Sequence, residues 1–209
     1  MTTIYLIRHS KSIGINNVKY ETILEDQIKN ERLPLSPDGE ELAKKISEYD
    51  ELKDIDVIYS SEYERAISTA KYISDKNELL LHITNKLNER KMGDTKDIPK
   101  FFWSTQFEDE NAKANGGESR KEVTKRMYDF LESILKEYKN KRIVLVTHAT
   151  AISFLLMKWC ELVDIDIDNK SRQLNFKGKE VINDVIGTPE IFKLEFDDDN
   201  LLDIKLMRN

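Results

Sequence analysis

Residues 3–8 read TIYLIR and residues 142–147 read RIVLVT, and each run is followed at once by a histidine, His9 and His148. Short apolar runs rich in Ile, Val and Thr, closed abruptly by polar residues, predict strands buried on both faces. A third such run, DVIYSS at 56–61, and a shorter one at 79–84 lie between them. Helices alternate with these strands. Ser36-Pro37-Asp38-Gly39-Glu40 has the order of a helix start: Ser36 as N-cap, Pro37 at the first helical position, acids in the first turn. Leu42, Ala43, Ile46 and Tyr49 form its apolar stripe. Further helices are expected from Glu62 to about Ser74, from Glu118 to Lys139 with Val123, Met127, Leu131 and Ile134 on one face, and over the apolar stretch 149–160. EIFKLEF and LLDIKLM flank Asp197-Asp198-Asp199-Asn200 and predict an antiparallel hairpin. Strand–helix alternation of this kind predicts an α/β fold, a three-layer sandwich whose mostly parallel central sheet is flanked by helices.

The chain has 209 residues, of which 39% are hydrophobic, enough apolar material for a packed core. Its length predicts one domain over 1–209, with segments of about 10–35 and 93–117 as lids or inserts. With 33 Lys+Arg against 39 Asp+Glu, the net charge of −6 argues against holding nucleic acid or an anionic membrane through the overall field. One cysteine, Cys160, leaves no intrachain disulfide and no multi-cysteine zinc site. Arg8 arrives too soon for a signal peptide, and the longest stretch free of charged residues, Ile143 to Met157, is shorter than the roughly 20 residues of a membrane span. A cytoplasmic location is expected, with neither nucleic acid nor membrane as partner; the oligomeric state is open.

Ligands of such sheets gather beyond the carboxyl ends of the strands. That rule would bring Arg8-His9, Ser60-Ser61 and His148 together. A single histidine after a strand is ordinarily a capping or core residue; two at parallel strand ends, one beside Arg8, point to a site. Arg65 falls in the first turn of its helix, where the backbone favours anions and disfavours a cation unless an anion shares the position. Its alternative is a surface pair with Glu62 or Glu64.

Taken in order, LIRHSKS at 6–12, LPLSPDGEELA at 33–43, SSEYERAISTA at 60–70, LNERKMGD at 87–94, GGES at 116–119 and VLVTHA at 144–149 resemble the histidine phosphatase superfamily, the phosphoglycerate-mutase-like branch 1. The resemblance implies a phosphoglycerate-mutase-like fold. His9 would be the phosphorylated nucleophile, Glu89 the proton donor, and Arg8, Arg65 and His148 the phosphate pocket. Ser12 would donate to the phosphate. Asn16 stands one residue later than the family's asparagine, and Ser10 and Ala149 replace its usual glycines. No cofactor and no metal are implied. The chemistry agrees with the residue types: imidazole is nucleophilic only when neutral, which nearby guanidiniums favour, and planar guanidinium forks match phosphate oxygens.

The expected activity is hydrolysis of a small phosphorylated metabolite through phosphohistidine. Two alternatives stand beside it: a 2,3-bisphosphoglycerate-dependent phosphoglycerate mutase, and a non-catalytic binder of a phosphorylated ligand. A mutase needs a clamp for a second anion. After Asp94 the sequence scatters Lys96 and Lys100 among aromatics and the acids Glu108, Asp109 and Glu110, so no strong clamp of this kind is expected. The binder would be favoured if His9 or Glu89 were missing. Phe101, Phe102 and Trp103 would line the pocket or form the core of a lid; His82 is expected to be a half-buried strand residue without a role.

Overall fold

The computed structural model describes residues 1–22, 25–94, 96, 98 and 102–207. Its strands are β1 (Thr2–Arg8), β2 (Val57–Ser60), β3 (Leu81–Ile83), β4 (Arg142–Thr147), β5 (Glu161–Asp166), β6 (Ser171–Phe176), β7 (Lys179–Ile182), β8 (Glu190–Asp197) and β9 (Asn200–Met207). The helices are α1 (Asp26–Glu31), α2 (Pro37–Ser47), α3 (Glu64–Lys76), α4 (Phe102–Glu108), α5 (Arg120–Glu137) and α6 (Ala149–Leu156). Among the described residues the strands form a six-stranded sheet in the order β3-β2-β4-β1-β8-β9 and a three-stranded one, β5-β6-β7. β3, β2, β4 and β1 run parallel, and the β8–β9 hairpin adds two antiparallel strands.

Period-two alternation divides the core between the two faces of the large sheet. Ile4, Leu6, Ile143 and Leu145 point to the face covered by α5 and α6, whereas Tyr5, Ile7, Val144 and Val146 point to the face covered by α3. All eight are buried, as near-continuous apolar strands of a parallel sheet must be.

Local chemistry sets the helix starts. Ser36 caps α2 by accepting the Gly39 N–H at 3.1 Å, with Pro37 in first position as expected. Ser119 and Glu122 form a reciprocal capping box that starts α5 at Arg120, after the expected Glu118. α3 begins at Glu64, two residues after the expected start, and α6 ends at Leu156, four residues before the expected end. The segment 10–35 carries α1, and α4 lies within 93–117.

The three-stranded sheet has no counterpart in the sequence reading. β5 is half exposed along its length, and β6 spells SRQLNF, with polar residues at four of six positions. Its Leu174 and Phe176 nevertheless face the main core. The sheet adds a wall beyond α6 that the alternation pattern of the rest of the chain does not foreshadow. No helix among the described residues is long and apolar enough to cross a membrane.

Candidate active site

Strand register builds the site. Arg8 pairs with Thr147 across β1 and β4, and Ser60 with Val146 across β2 and β4, so the three carboxyl ends lie level. The next residues, His9, Ser61 and His148, are therefore neighbours. The backbone N–H of His9 donates to the Thr147 carbonyl at 2.9 Å, and that of Ser61 to the Val146 carbonyl at 3.0 Å. The rings of His9 and His148 are 5.0 Å apart, centroid to centroid.

His9 is buried, and both of its ring nitrogens are engaged. Nδ1 lies 2.7 Å from the Ser10 carbonyl, which can only accept, so Nδ1 carries the proton. Nε2 is left with a free lone pair, and Arg65 Nε donates to it at 3.1 Å. Burial, then the charge of Arg65, then that of Arg8, lower the His9 pKa to about 3; the Ser10 carbonyl opposes them. The ring is thus neutral at pH 7, with Nε2 facing a guanidinium. Ser10 anchors the turn: its N–H donates to Thr69 Oγ1 at 2.9 Å and its hydroxyl to the Gly39 carbonyl at 2.7 Å.

His148 is fully buried, and its pKa lies well below the ordinary value, first through burial and then through His9, Arg65 and Arg8. Ser61 Oγ accepts the Tyr63 N–H at 3.3 Å and shares a 2.7 Å hydrogen bond with His148 Nε2, in which either atom can donate. His148 Nδ1 is buried and has no partner among the described residues. A buried polar atom of this kind is costly unless a partner arrives. Ser61 has no role assigned from the sequence. Its position after β2 was visible; its bond to His148 was not.

Arg65 is buried on the first turn of α3 rather than paired at the surface with Glu62 or Glu64. Its Nη1 donates to the Asn30 carbonyl at 2.6 Å, and its guanidinium lies 4.8 Å from the Tyr63 ring. α1 thereby closes over the site, with Gln27 also donating to the Tyr63 hydroxyl at 2.7 Å. Arg8 Nη1 donates to the Ile186 carbonyl, while its Nε is buried and unpartnered.

Glu89 is seated on the N-terminus of α6. Its carboxylate accepts the N–H groups of Thr150 at 3.2 Å and Ala151 at 3.0 Å, and that of Arg90 at 2.8 Å. The supporting loop is fixed from two sides. Thr147 Oγ1 donates to the Leu87 carbonyl at 2.6 Å, and Arg126 holds the Lys86 and Asn88 carbonyls while pairing bidentately with Glu118 of the GGES segment. Glu89 is within electrostatic reach of both Arg8 and Arg65.

The structure thus brings His9, Arg8, Arg65, His148 and Glu89 into one cluster. Ser12 and Asn16 stand apart from its hydrogen bonds: half-buried Ser12 forms an isolated bridge with Leu35, and Asn16 is exposed in the turn Ile15–Asn17. Phe102 is buried under the Arg90 guanidinium at 4.5 Å, and Trp103 packs against Phe107 with the rings tilted at 59°; Phe101 and Lys100 lie outside the described residues. His82 is half-buried on β3 against Tyr59.

Two buried arginines lie beyond the expected set. Arg90 is held by the Glu118 carbonyl at 2.9 Å and by Gln106, and Arg172 projects from β6. Both lie outside the stretch after Asp94, in which no second-anion clamp was expected. The missed signal was Arg172 at an inward position of a strand, legible only once the turn at Lys177-Gly178 marks β6 and β7 as a hairpin.

The chain is similar to known proteins over most of its length. The model of the histidine phosphatase superfamily (branch 1) matches residues 4–173. The uncharacterized phosphatase PhoE of Bacillus subtilis (strain 168) is 29% identical over 158 residues, covering 75% of this chain and 76% of its own. Phosphoserine phosphatase 1 of Hydrogenobacter thermophilus is 26% identical over 176 residues, covering 80% and 79%. Among solved structures, a mycobacterial glucosyl-3-phosphoglycerate phosphatase superposes with a TM-score of 0.66 at 18% identity, covering 98% of this chain and 96% of its own. YhfR of Bacillus stearothermophilus superposes with a TM-score of 0.65 at 18% identity, covering 97% and 95%. With the family model matched over most of its length, this chain belongs to the histidine phosphatase superfamily, branch 1, and is a phosphoric monoester hydrolase.

Proposed function

We propose that the protein hydrolyses a small phosphomonoester without metal, passing the phosphoryl group through His9. The observation that carries this reading is the state of His9: Nδ1 tied to the Ser10 carbonyl, Nε2 unprotonated, and Arg65 Nε 3.1 Å from that lone pair. Phosphoryl transfer needs an in-line nucleophile and neutralisation of the equatorial oxygens. His9 Nε2 is the nucleophile. Arg8 Nε, buried and without a partner, is a donor awaiting an acceptor oxygen, and His148 Nδ1, also buried and unpartnered, becomes a second one when it carries a proton. Arg65 leaves the nitrogen lone pair for the phosphoryl group as the substrate arrives, which frees Nε2 to attack.

In the first step the Nε2–P bond forms and the P–O bond to the alcohol breaks, with Glu89 as general acid giving a proton to the departing oxygen. In the second, Glu89 as general base takes a proton from water, whose oxygen attacks phosphorus; the N–P bond breaks and phosphate leaves. The substrate is a small phosphorylated metabolite, a reading supported by relatives named for phosphoserine and glucosyl-3-phosphoglycerate.

The mutase reading keeps one observation in its favour, the buried Arg90 and Arg172, since a mutase must hold a second anion. A phosphomonoester panel run with EDTA on wild type and His9→Ala, beside a bisphosphoglycerate-primed mutase assay, separates the alternatives. Hydrolysis that survives EDTA and vanishes in His9→Ala is expected. Turnover that needs added metal, or survives His9→Ala, overturns the proposal, and mutase activity far above hydrolysis would replace it.

A further inference from the structure

From the end of β2 into α3 the chain reads Ser61-Glu62-Tyr63-Glu64-Arg65. Turn positions are ordinarily solvated, and Glu62 and Glu64 are exposed. Tyr63 stands between them at 2% exposure, yet it joins neither of the two apolar cores on the faces of the large sheet. A large ring buried outside the core needs another reason to be there, and its neighbours supply one.

Those neighbours are the groups of the site. The Tyr63 ring meets His148 edge-on, with centroids 4.7 Å apart, and the Arg65 guanidinium lies 4.8 Å from its own centroid. The Tyr63 carbonyl accepts the Ala66 and Ile67 N–H groups at 2.9 and 3.0 Å, so the same residue starts the helix that carries Arg65. The hydroxyl reaches the other way, to α1. It accepts from Gln27 Nε2 at 2.7 Å, and that amide also donates to Glu31 Oε1 at 2.8 Å, one turn further along. Asn30, between Gln27 and Glu31, gives its carbonyl to Arg65 Nη1 at 2.6 Å. α1 and Arg65 are therefore joined twice, once directly and once through Tyr63. Burial pushes the Tyr63 pKa up to about 12, so the phenol stays neutral.

The arrangement matters when substrate binds. A phosphoryl group on His9 Nε2 must break the 3.1 Å bond from Arg65 Nε. The Tyr63 ring and the Asn30 carbonyl then remain to aim the guanidinium at the phosphoryl oxygens. We infer that Tyr63 is a positioning residue for Arg65: braced against His148, its ring supports the guanidinium, and its hydroxyl, through Gln27, seats the helix whose Asn30 carbonyl holds the same group. The inference rests on the reading of His9 as phosphoryl acceptor. Tyr63 acts through Arg65, so its loss counts only where Arg65 is present.

The test crosses Tyr63→Leu with Arg65→Met and measures p-nitrophenyl phosphate hydrolysis. With Arg65 present, Tyr63→Leu should lower kcat/KM by about 10- to 100-fold, the scale of a misplaced catalytic contact. In the Arg65→Met background the same change should cost no more than about 2- to 3-fold. Equal losses in the two backgrounds, as a merely structural residue would give, overturn the inference. Tyr63→Phe keeps the ring and should retain most of the activity, losing about 2- to 10-fold. Gln27→Met should lose as much, and the two together no more than either alone; additive losses overturn the link through α1. If Tyr63→Leu does not fold, Tyr63→Met takes its place in the same cycle. Activity retained in His9→Ala, or no turnover by wild type, defeats the phosphohistidine reading instead. In that event, titration of the same four proteins with inorganic phosphate still decides the role of Tyr63. Binding that weakens in Tyr63→Leu only while Arg65 is present supports it, and equal weakening in both backgrounds rejects it.

Discussion

Replacing Arg65 by methionine removes the guanidinium whose Nε lies 3.1 Å from His9 Nε2 and so tests what keeps that nitrogen unprotonated. Burial is the leading cause of the depressed His9 pKa and Arg65 the second. A unit charge about 4 Å away at an effective dielectric of 20 is worth about 4 kcal/mol, a ceiling of about three pK units. Burial persists in the variant. The His9 pKa should therefore rise from about 3 by one to three units and remain below the ordinary 6.5. His148, which also feels Arg65, should move the same way. Titration of the ring nitrogens by 15N NMR reads both shifts directly. Stability follows with a definite sign. A histidine held neutral in the fold contributes stability that is whole above its unfolded pKa and lost as pH falls below it, about 2 kcal/mol between pH 7 and pH 5 for each ring. That loss should continue to about pH 3 for wild-type His9 and level off earlier in the variant. Wild-type His9 titrating near 6.5, or a pKa unmoved by the substitution, would refute the electrostatic account of the nucleophile.

Glu89→Gln should keep one acceptor oxygen, enough for the Ala151 and Arg90 N–H groups, lose the one that the Thr150 N–H meets, and lose proton transfer. Its kcat/KM on alkyl phosphates should fall by about 10²–10⁴-fold, and by much less on p-nitrophenyl phosphate, whose leaving group needs no proton; equal losses would remove Glu89 as general acid. Ser61→Ala leaves His148 Nε2 without its 2.7 Å hydrogen-bond partner and should cost about 1–3 kcal/mol in urea denaturation, with a matching fall in kcat. Gly39→Ala would place a Cβ 1.9 Å from the Lys11 carbonyl oxygen, so α2 must shift away from the turn that carries Ser10. A loss of about 1–3 kcal/mol is expected, seen as a lower urea midpoint together with lower activity.

The sequence was most legible where burial is complete. β1, β2 and β4 are read from uninterrupted apolar runs, and the histidines that end two of them fall at the site because parallel register levels the strand ends. Arg65 was legible through its conflict with the helix dipole; burial against His9 resolves that conflict. The β8–β9 hairpin follows from its turn residues, with Asp198 at positive φ. The small sheet was illegible for an equally physical reason. β5 is solvated along most of one side, and β6 places an arginine where alternation would put an aliphatic residue, so neither shows a clean period of two. Arg172 is hidden by the feature that makes it informative. Glu89 could be named only through family resemblance, because its seat on the N-terminus of α6 joins residues more than sixty positions apart, which no local pattern encodes.

The central claim is that the phosphoryl group rests covalently on one imidazole nitrogen. Rapid acid-free quenching during turnover of a phosphomonoester, followed by intact-mass and peptide mass spectrometry, measures it most directly. The account predicts one added phosphoryl group, stable to base and lost in acid, on the peptide containing His9, and none in His9→Ala. A transient phosphoryl group on another residue, or steady turnover through single-turnover and burst conditions with His9 never modified, would contradict it.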